Sequence, residues 1–180
     1  MSTLQVENLI GPTSGSNANK VIIPSGQTLY AAGHVIQVQA LSRVRISSTV
    51  LSSTSTVILN DGGGNFETTI TPKFSNSKIV GYVNISGIAS VSNANSIAFM
   101  IYRNGSFIQT IDSHISYNSD EHGDRCHLSH QFIDEPNSTS TVTYSIYAKP
   151  ANTGSIIIFD VHVPTPSHPT NNLILQEIAQ

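Results

Sequence analysis

Apolar and polar positions alternate with a period of two along most of this chain, the pattern of half-buried strands. In "HVIQVQALSRVRIS" the alternation puts Val35, Gln37 and Gln39 on one face and Ile36, Val38 and Ala40 on the other. "TSTVIL" follows, then the breaker "NDGGGN" from Asn60 to Asn65, then the strands "FETTITP" and "KIVGYVNISGIASV". In "SIAFMIYRNGSFIQTI" the pair Asn104-Gly105 sits between two alternating runs and predicts a two-residue hairpin turn. "RCHLSHQFI" reads as a strand with Cys126, Leu128, His130 and Phe132 on one face. "STVTYSIYAKPANTGSIIIFDVHV" reads as two strands around a turn at Pro150 to Gly154, and "NNLILQEIA" as a closing strand. No stretch longer than about two turns shows helical periodicity. Eight or more short strands separated by turn signals predict an all-β, jelly-roll-like antiparallel sandwich.

The pattern breaks before Gly33. "GPTSGSNANK" is a linker between two short apolar stretches, "LQVENLI" and "KVIIPSGQTLY". Neither stretch is long enough to form a stable sheet alone. Residues 1–32 therefore read as an extended arm, with Leu4, Val6, Leu9, Ile10, Val21, Ile22 and Ile23 available to a partner, and residues 33–180 as the β head.

A length of 180 residues suits one domain with an appended segment. Charged residues make up only 11% of the chain, against about 25% in ordinary globular proteins. Ser, Thr, Asn and Gly occupy the polar positions instead. Net charge is −3 and there is no basic run beyond Arg43 and Arg45 on one strand face, so nucleic acid is not an expected partner. The single cysteine, Cys126, excludes an internal disulfide framework. No apolar run approaches the ~20 residues that span a bilayer, so no membrane insertion is expected. The start of the chain lacks a basic segment followed by an apolar one, so no secretory signal is expected, and the opening Met agrees with a complete product.

The densest patch of reactive side chains is "DEHGDRCHLSH", from Asp120 to His130. A structural zinc site needs four convergent N or S ligands. Here Cys126, His127 and His130 are the candidates, but on a strand Cys126 and His130 point one way and His127 the other, so no metal is expected. A nucleophile elbow of the G-x-S-x-G type is absent. Glycan hydrolysis by paired carboxylates would draw on Asp120, Glu121, Asp124, Asp134 or Glu135. His34, His162 and His168 lack spaced partners. "DGGGN" lacks the G-K-S/T ending of a phosphate loop and reads as a strand connector. Asn84, Asn104 and Asn137 head Asn-x-Ser/Thr triplets, which matter only in a secretory pathway. Tyr82, Tyr102, Tyr117, Tyr144 and Tyr147 lie on strands or near turns; they read first as ordinary sheet formers, and where exposed they suit carbohydrate or protein contact. Neither a cofactor nor an enzymatic activity is expected.

The opening "STLQVENLIGPTSG", the passage "KVIIPSGQTLYAAGHVIQVQ", the midsection "TTITPKFSNSKIVGYVNIS" and the ending "LILQEIAQ" resemble a family of tailed-phage virion proteins, of the kind found in phages of cyanobacteria and other aquatic bacteria. Its members are called tail fibre or receptor-binding proteins. Ile70-Thr71-Pro72 and Ser77-Lys78-Ile79 match its strand-turn-strand phrase, and Leu173 to Ala179 its terminal strand. The resemblance implies an attachment arm followed by a trimeric head similar to the tumour necrosis factor jelly roll. On that reading the chain is a homotrimer of the virion, made in the bacterial host cytoplasm. Its arm binds another virion protein, and its head binds a host surface glycan or protein. The expected contact residues are Asn118, Asp120, Glu121, His122 and Asp124, with Tyr102 and Asn104 in the hairpin ending at Phe107. The short chain leaves no room for a long shaft. That brings in a second role, a decoration protein cementing the capsid shell.

Overall fold

The structure is a computed structural model describing residues 10–18, 20–44, 49–51, 53–60, 62–90, 96–112, 126–151, 156–158 and 170–180. Eleven strands follow in chain order: β1 (Val35–Val44), β2 (Thr49–Leu51), β3 (Val57–Ile58), β4 (Glu67–Ile70), β5 (Lys78–Ser90), β6 (Ile97–Arg103), β7 (Ser106–Asp112), β8 (Cys126–Asp134), β9 (Val142–Pro150), β10 (Ile156–Ile158) and β11 (Thr170–Ile178). There is no helix among the described residues. The strands form two antiparallel sheets. One has the order β1-β11-β5-β10-β2 with β8 also pairing β5, and the other β3-β9-β6-β7 with β4 also pairing β9.

The pairing is nested. The outermost long strands pair as β1 with β11, the next as β4 with β9, then β5 with β8, and β6 with β7 form the innermost hairpin. Cross-ladders between β5 and β11 and between β6 and β9 join neighbouring pairs within each sheet. This is a long antiparallel hairpin wound into two sheets, the jelly roll expected from the strand pattern. The hairpin turn is where the sequence puts it: Asn104 has φ 49° and Gly105 φ 78°, the left-handed pair that a two-residue turn needs. Asn104 suits the first position because its amide oxygen accepts the Thr143 N–H at 2.8 Å.

One local expectation changes. Val35 opposes Ile178 while Gln37 opposes Glu177, so Ile36 is the extra residue of a bulge. The bulge moves Val35 onto the outward face with Val38, whereas strict alternation grouped it with Gln37. The glycine run connects β3 and β4 as expected, but the two strands do not lie side by side. Ile58 pairs Tyr147 and Glu67 pairs Ser145, so β3 and β4 form one interrupted strand along β9. Leu59 N–H donates to Ile146 O, Ile146 N–H donates to Phe66 O, and an Asn60–Asn65 bridge closes the base. Gly62 (φ 86°) and Gly64 (φ 129°) supply the backbone freedom, and the Arg43 guanidinium lies over Gly64.

The core lies between the sheets. Ile79, Val83, Ile85, Leu128, Phe132, Leu173 and Leu175 from one sheet meet Leu59, Phe66, Ile70, Phe99, Ile101, Tyr144 and Ile146 from the other. Tyr144 is fully buried here, so it is a core residue and not a contact residue as its sequence setting suggested. Its position among Val142, Ile146 and Ala148 fixes the inward direction.

The outward face of the first sheet follows from the same register. Val38, Gln176, Val80 and Ile133 form one cross-strand row. Ala40, Ile174, Tyr82 and Gln131 form the next, and Ser42, Asn172, Asn84 and Ser129 the third. No residue in these rows is charged.

Gly81 shows how tightly the inward face is packed. It opposes Phe132 directly, and a methyl group at Gly81 would overlap the edge of the Phe132 ring. Phe132 is itself buried and cannot move into solvent. Gly81→Ala is expected to lower unfolding free energy by about 3 kcal/mol, the upper end for overpacking, as read by urea titration. Adding Phe132→Leu should recover part of that loss; an unchanged midpoint in the single variant would contradict the packing.

Candidate assembly and contact surfaces

A buried carboxylate holds the turn on which Tyr30 rests. Glu177 lies on β11 on the inward side with Leu173, Leu175 and Ala179, and it is fully buried. An unpaired buried charge would be expensive, so its oxygens must find donors. Oε1 accepts the backbone N–H of Lys73 (2.7 Å) and of Phe74 (3.2 Å) and the Ser77 hydroxyl (2.7 Å). Oε2 accepts Gln37 Nε2 at 2.7 Å, and that amide also donates to Thr71 O. Four donors thus fix the turn between β4 and β5 against the end of β11.

That turn is the seat of the arm. The Tyr30 ring stands edge-on to Phe74 at 4.7 Å, and its hydroxyl donates to Gln180 O. Asn76 Nδ2 donates to the same carbonyl, Gly33 N–H donates to Ala179 O, and Ala179 N–H donates to His34 O. Upstream, the chain folds back on itself: Gly11 lies against the Lys20 backbone so closely that a side chain there would collide. Beyond the root the apolar side chains are open to solvent, with Ile10 79% exposed, Val21 48%, Ile22 53% and Ile23 40%. Leu4, Val6 and Leu9 lie outside the described residues.

Of the expected contact residues, Asn118, Asp120, Glu121, His122 and Asp124 lie outside the described residues, as do Tyr117, His162 and His168. Tyr102 and Asn104 are described. Tyr102 stacks at a tilt on Tyr147 (4.1 Å between centroids) and meets Phe107 edge-on at 5.8 Å. Phe107 is more than half exposed. These three rings form an open aromatic cluster on the outward face of the second sheet. Tyr147 is not in the hairpin and was grouped with the other tyrosines only by composition. Its closeness to Tyr102 depends on the β6–β9 register.

Among the described residues the candidates for chemistry are spread apart or engaged. His127 is exposed and His130 half-buried, on opposite sides of β8 as alternation requires. Among the described residues no three His, Cys, Asp or Glu side chains gather as a metal site. Asp134 Oδ2 accepts Arg103 Nη1 at 2.7 Å and the Tyr144 hydroxyl at 2.6 Å, linking β8 of one sheet to β6 and β9 of the other. Glu135 pairs with Lys78 at 3.2 Å on the surface. In the Asn84 triplet, Ser86 is buried and donates both N–H and hydroxyl to Asn171 Oδ1. Burial, with the hydrogen bond to Asp134, pushes the Tyr144 hydroxyl well above the usual phenol range.

No protein-family model and no curated protein sequence matches the chain. Solved structures do resemble it in outline. One is of the infectious bursal disease virus Gt strain, at 10% identity and TM-score 0.48, covering 94% of this chain and 46% of that chain. Another is of T=1 particles derived from infectious bursal virus, at 11% identity and TM-score 0.47, covering 94% and 44%. A third is dimeric latent PorU from Porphyromonas gingivalis, at 11% and 0.39, covering 90% and 15%. The chain spans less than half of each of these chains, and likeness at this level carries no statement about function.

Two outcomes are expected of this geometry. Glu177→Gln puts an amide NH2 where donors converge, and hydrogen bonds to a charged group are worth about 1.5–3 kcal/mol. It should cost about 3 kcal/mol in urea unfolding and accelerate amide exchange at Lys73 and Phe74; unchanged exchange there would remove the seat from the account. For Tyr144 the neutral phenol is the favoured folded form. Its stabilisation is therefore complete below the ordinary phenol value of about 10 and is lost as pH rises above it, where the unfolded chain ionises first. Tyr144→Phe should cost about 2 kcal/mol at neutral pH and make unfolding less steep between about pH 10 and 12.

Proposed function

We propose that this chain is a non-enzymatic structural protein of a virus particle, and more closely a short tail-fibre or receptor-binding protein of a tailed phage. The reading rests on the sequence resemblance and on one structural observation. Tyr30 packs on Phe74 of the Glu177-held turn, while Ile10, Val21, Ile22 and Ile23 stay exposed. A segment of that kind suits addition to a partner's surface or sheet edge, where main-chain hydrogen bonds give affinity. The partner of the arm is then another virion protein, and the head works as a homotrimer on the particle. Contact with a host surface glycan or protein falls to residues 118–124 and to the Tyr102, Tyr147 and Phe107 cluster. Aromatic faces of this kind suit sugar rings as well as protein side chains. Asp134 and Glu135 are held in ion pairs, which favours the structural role over a carboxylate-pair hydrolase.

The test is adsorption of phage carrying the protein with Tyr102→Ala plus Tyr147→Ala, or with residues 118–124 replaced by a short Gly/Ser loop. Either change is expected to lower adsorption at least tenfold and leave the particle intact. Normal adsorption by both variants, with capsids that break at lower temperature when the protein is deleted, would point instead to the decoration role. Measurable cleavage of host glycan by the purified protein would overturn the non-enzymatic part.

A further inference from the structure

The outward face of the β1-β11-β5-β8 strands has the composition of a buried surface. On an antiparallel sheet with one side in water, outward positions are ordinarily polar. Here Val38 is 51% exposed and Ile133 56%, in a row that also holds Val80. The next row adds Ile174 and Tyr82. Val35, shifted outward by the bulge, is 43% exposed at the border. Polarity increases only in the third row, with Ser and Asn. The outward face of the second sheet is different: it carries Glu67 and Lys149 beside its aromatic cluster.

We infer that this face is covered by a second copy of the same chain. The inference deepens the assembly part of the proposed function and rests on it. The absence of charge is what selects the occupant. When identical copies meet, a charged residue in the shared patch faces its own like or is stripped of water, and either is costly. The three rows contain no such residue; carboxylate, ammonium and imidazole side chains are confined to the border, where Lys78 and Glu135 pair with each other and His127 continues the face beyond Ser129 on β8. Strands ~4.8 Å apart and rows ~6.8 Å apart give the face an area on the order of 400 Å². A stable contact takes about 800 Å² per partner. The outer edge of β1, which pairs only with β11 among the described residues, borders the face and extends the contact. Covering it also removes an open strand edge.

The experiment is light scattering of the full chain at several concentrations, for the native protein and three variants. Ile174→Glu and Gln131→Arg place charge on the face; Gln131 is already exposed, so its variant keeps the fold if Ile174→Glu does not. Thr110→Glu places the same charge on the outward face of the other sheet. The native protein is expected at a multiple of 19.3 kDa. Ile174→Glu and Gln131→Arg should fall to the single-chain mass with unchanged circular dichroism, and Thr110→Glu should keep the native mass. A native protein at 19.3 kDa, or face variants that keep the native mass, overturns the inference. A native mass of two or four chains that the face variants abolish supports the face and removes the trimer from the proposed function. Three chains that the face variants leave intact does the reverse.

Discussion

The Glu177 carboxylate is the constraint on which one end of this molecule depends. Burying a charge is tolerable only when its oxygens are filled with donors, and those donors come from distant parts of the chain. Lys73, Phe74 and Ser77 must form a turn that aims two amides and a hydroxyl at one oxygen, and Gln37 must approach the other from β1. Once that turn is set, Phe74 is presented for Tyr30. The phrases "TPKFSNSK" and "LILQEIAQ", a hundred residues apart, are therefore two halves of one hydrogen-bonded unit.

The two sheets are tied together mainly by their interleaved core, and at one edge by a polar link. Asp134, Arg103 and Tyr144 join three strands across the sandwich, and the buried phenol can remain there only in its neutral form. The consequence is a head whose interior is fully specified and whose differences lie on its two outward faces. One is uncharged and apolar in its first rows. The other carries charge and a cluster of open rings. A protein that assembles through one face and meets a partner with another would divide its surface this way.

Much of this fold was legible along the chain because strand alternation is local. Turn chemistry is local too: Asn104-Gly105 forms the hairpin since both residues accept positive φ. Departures from the pattern were not legible. The bulge at Ile36 reversed the direction of Val35, and the two strands joined by the glycine run line up end to end along β9. A bulge or an alignment of this kind is decided by which partner strand is alongside, and that information lies elsewhere in the chain. Tyr144 and Tyr147 have similar sequence surroundings, yet one is buried and the other surface-facing. Glu177 left a faint signal, an acid in phase with Leu173, Leu175 and Ala179, which alternation alone could have flagged.

The sequence by itself determined that the chain is all-β, where most strands run, and that its polar positions would be poor in charge. These follow from period, turn residues and composition, each of which acts over a few residues. Tertiary structure alone decided the nested strand order, the partners of Glu177 and Asp134, the meeting of Tyr102 with Tyr147, and the alignment of apolar side chains from four strands into one face. Each of those needs residues far apart in the chain to be brought into register. Register is set by the whole core at once, because a slip of one residue would turn an entire strand's apolar set to the other side.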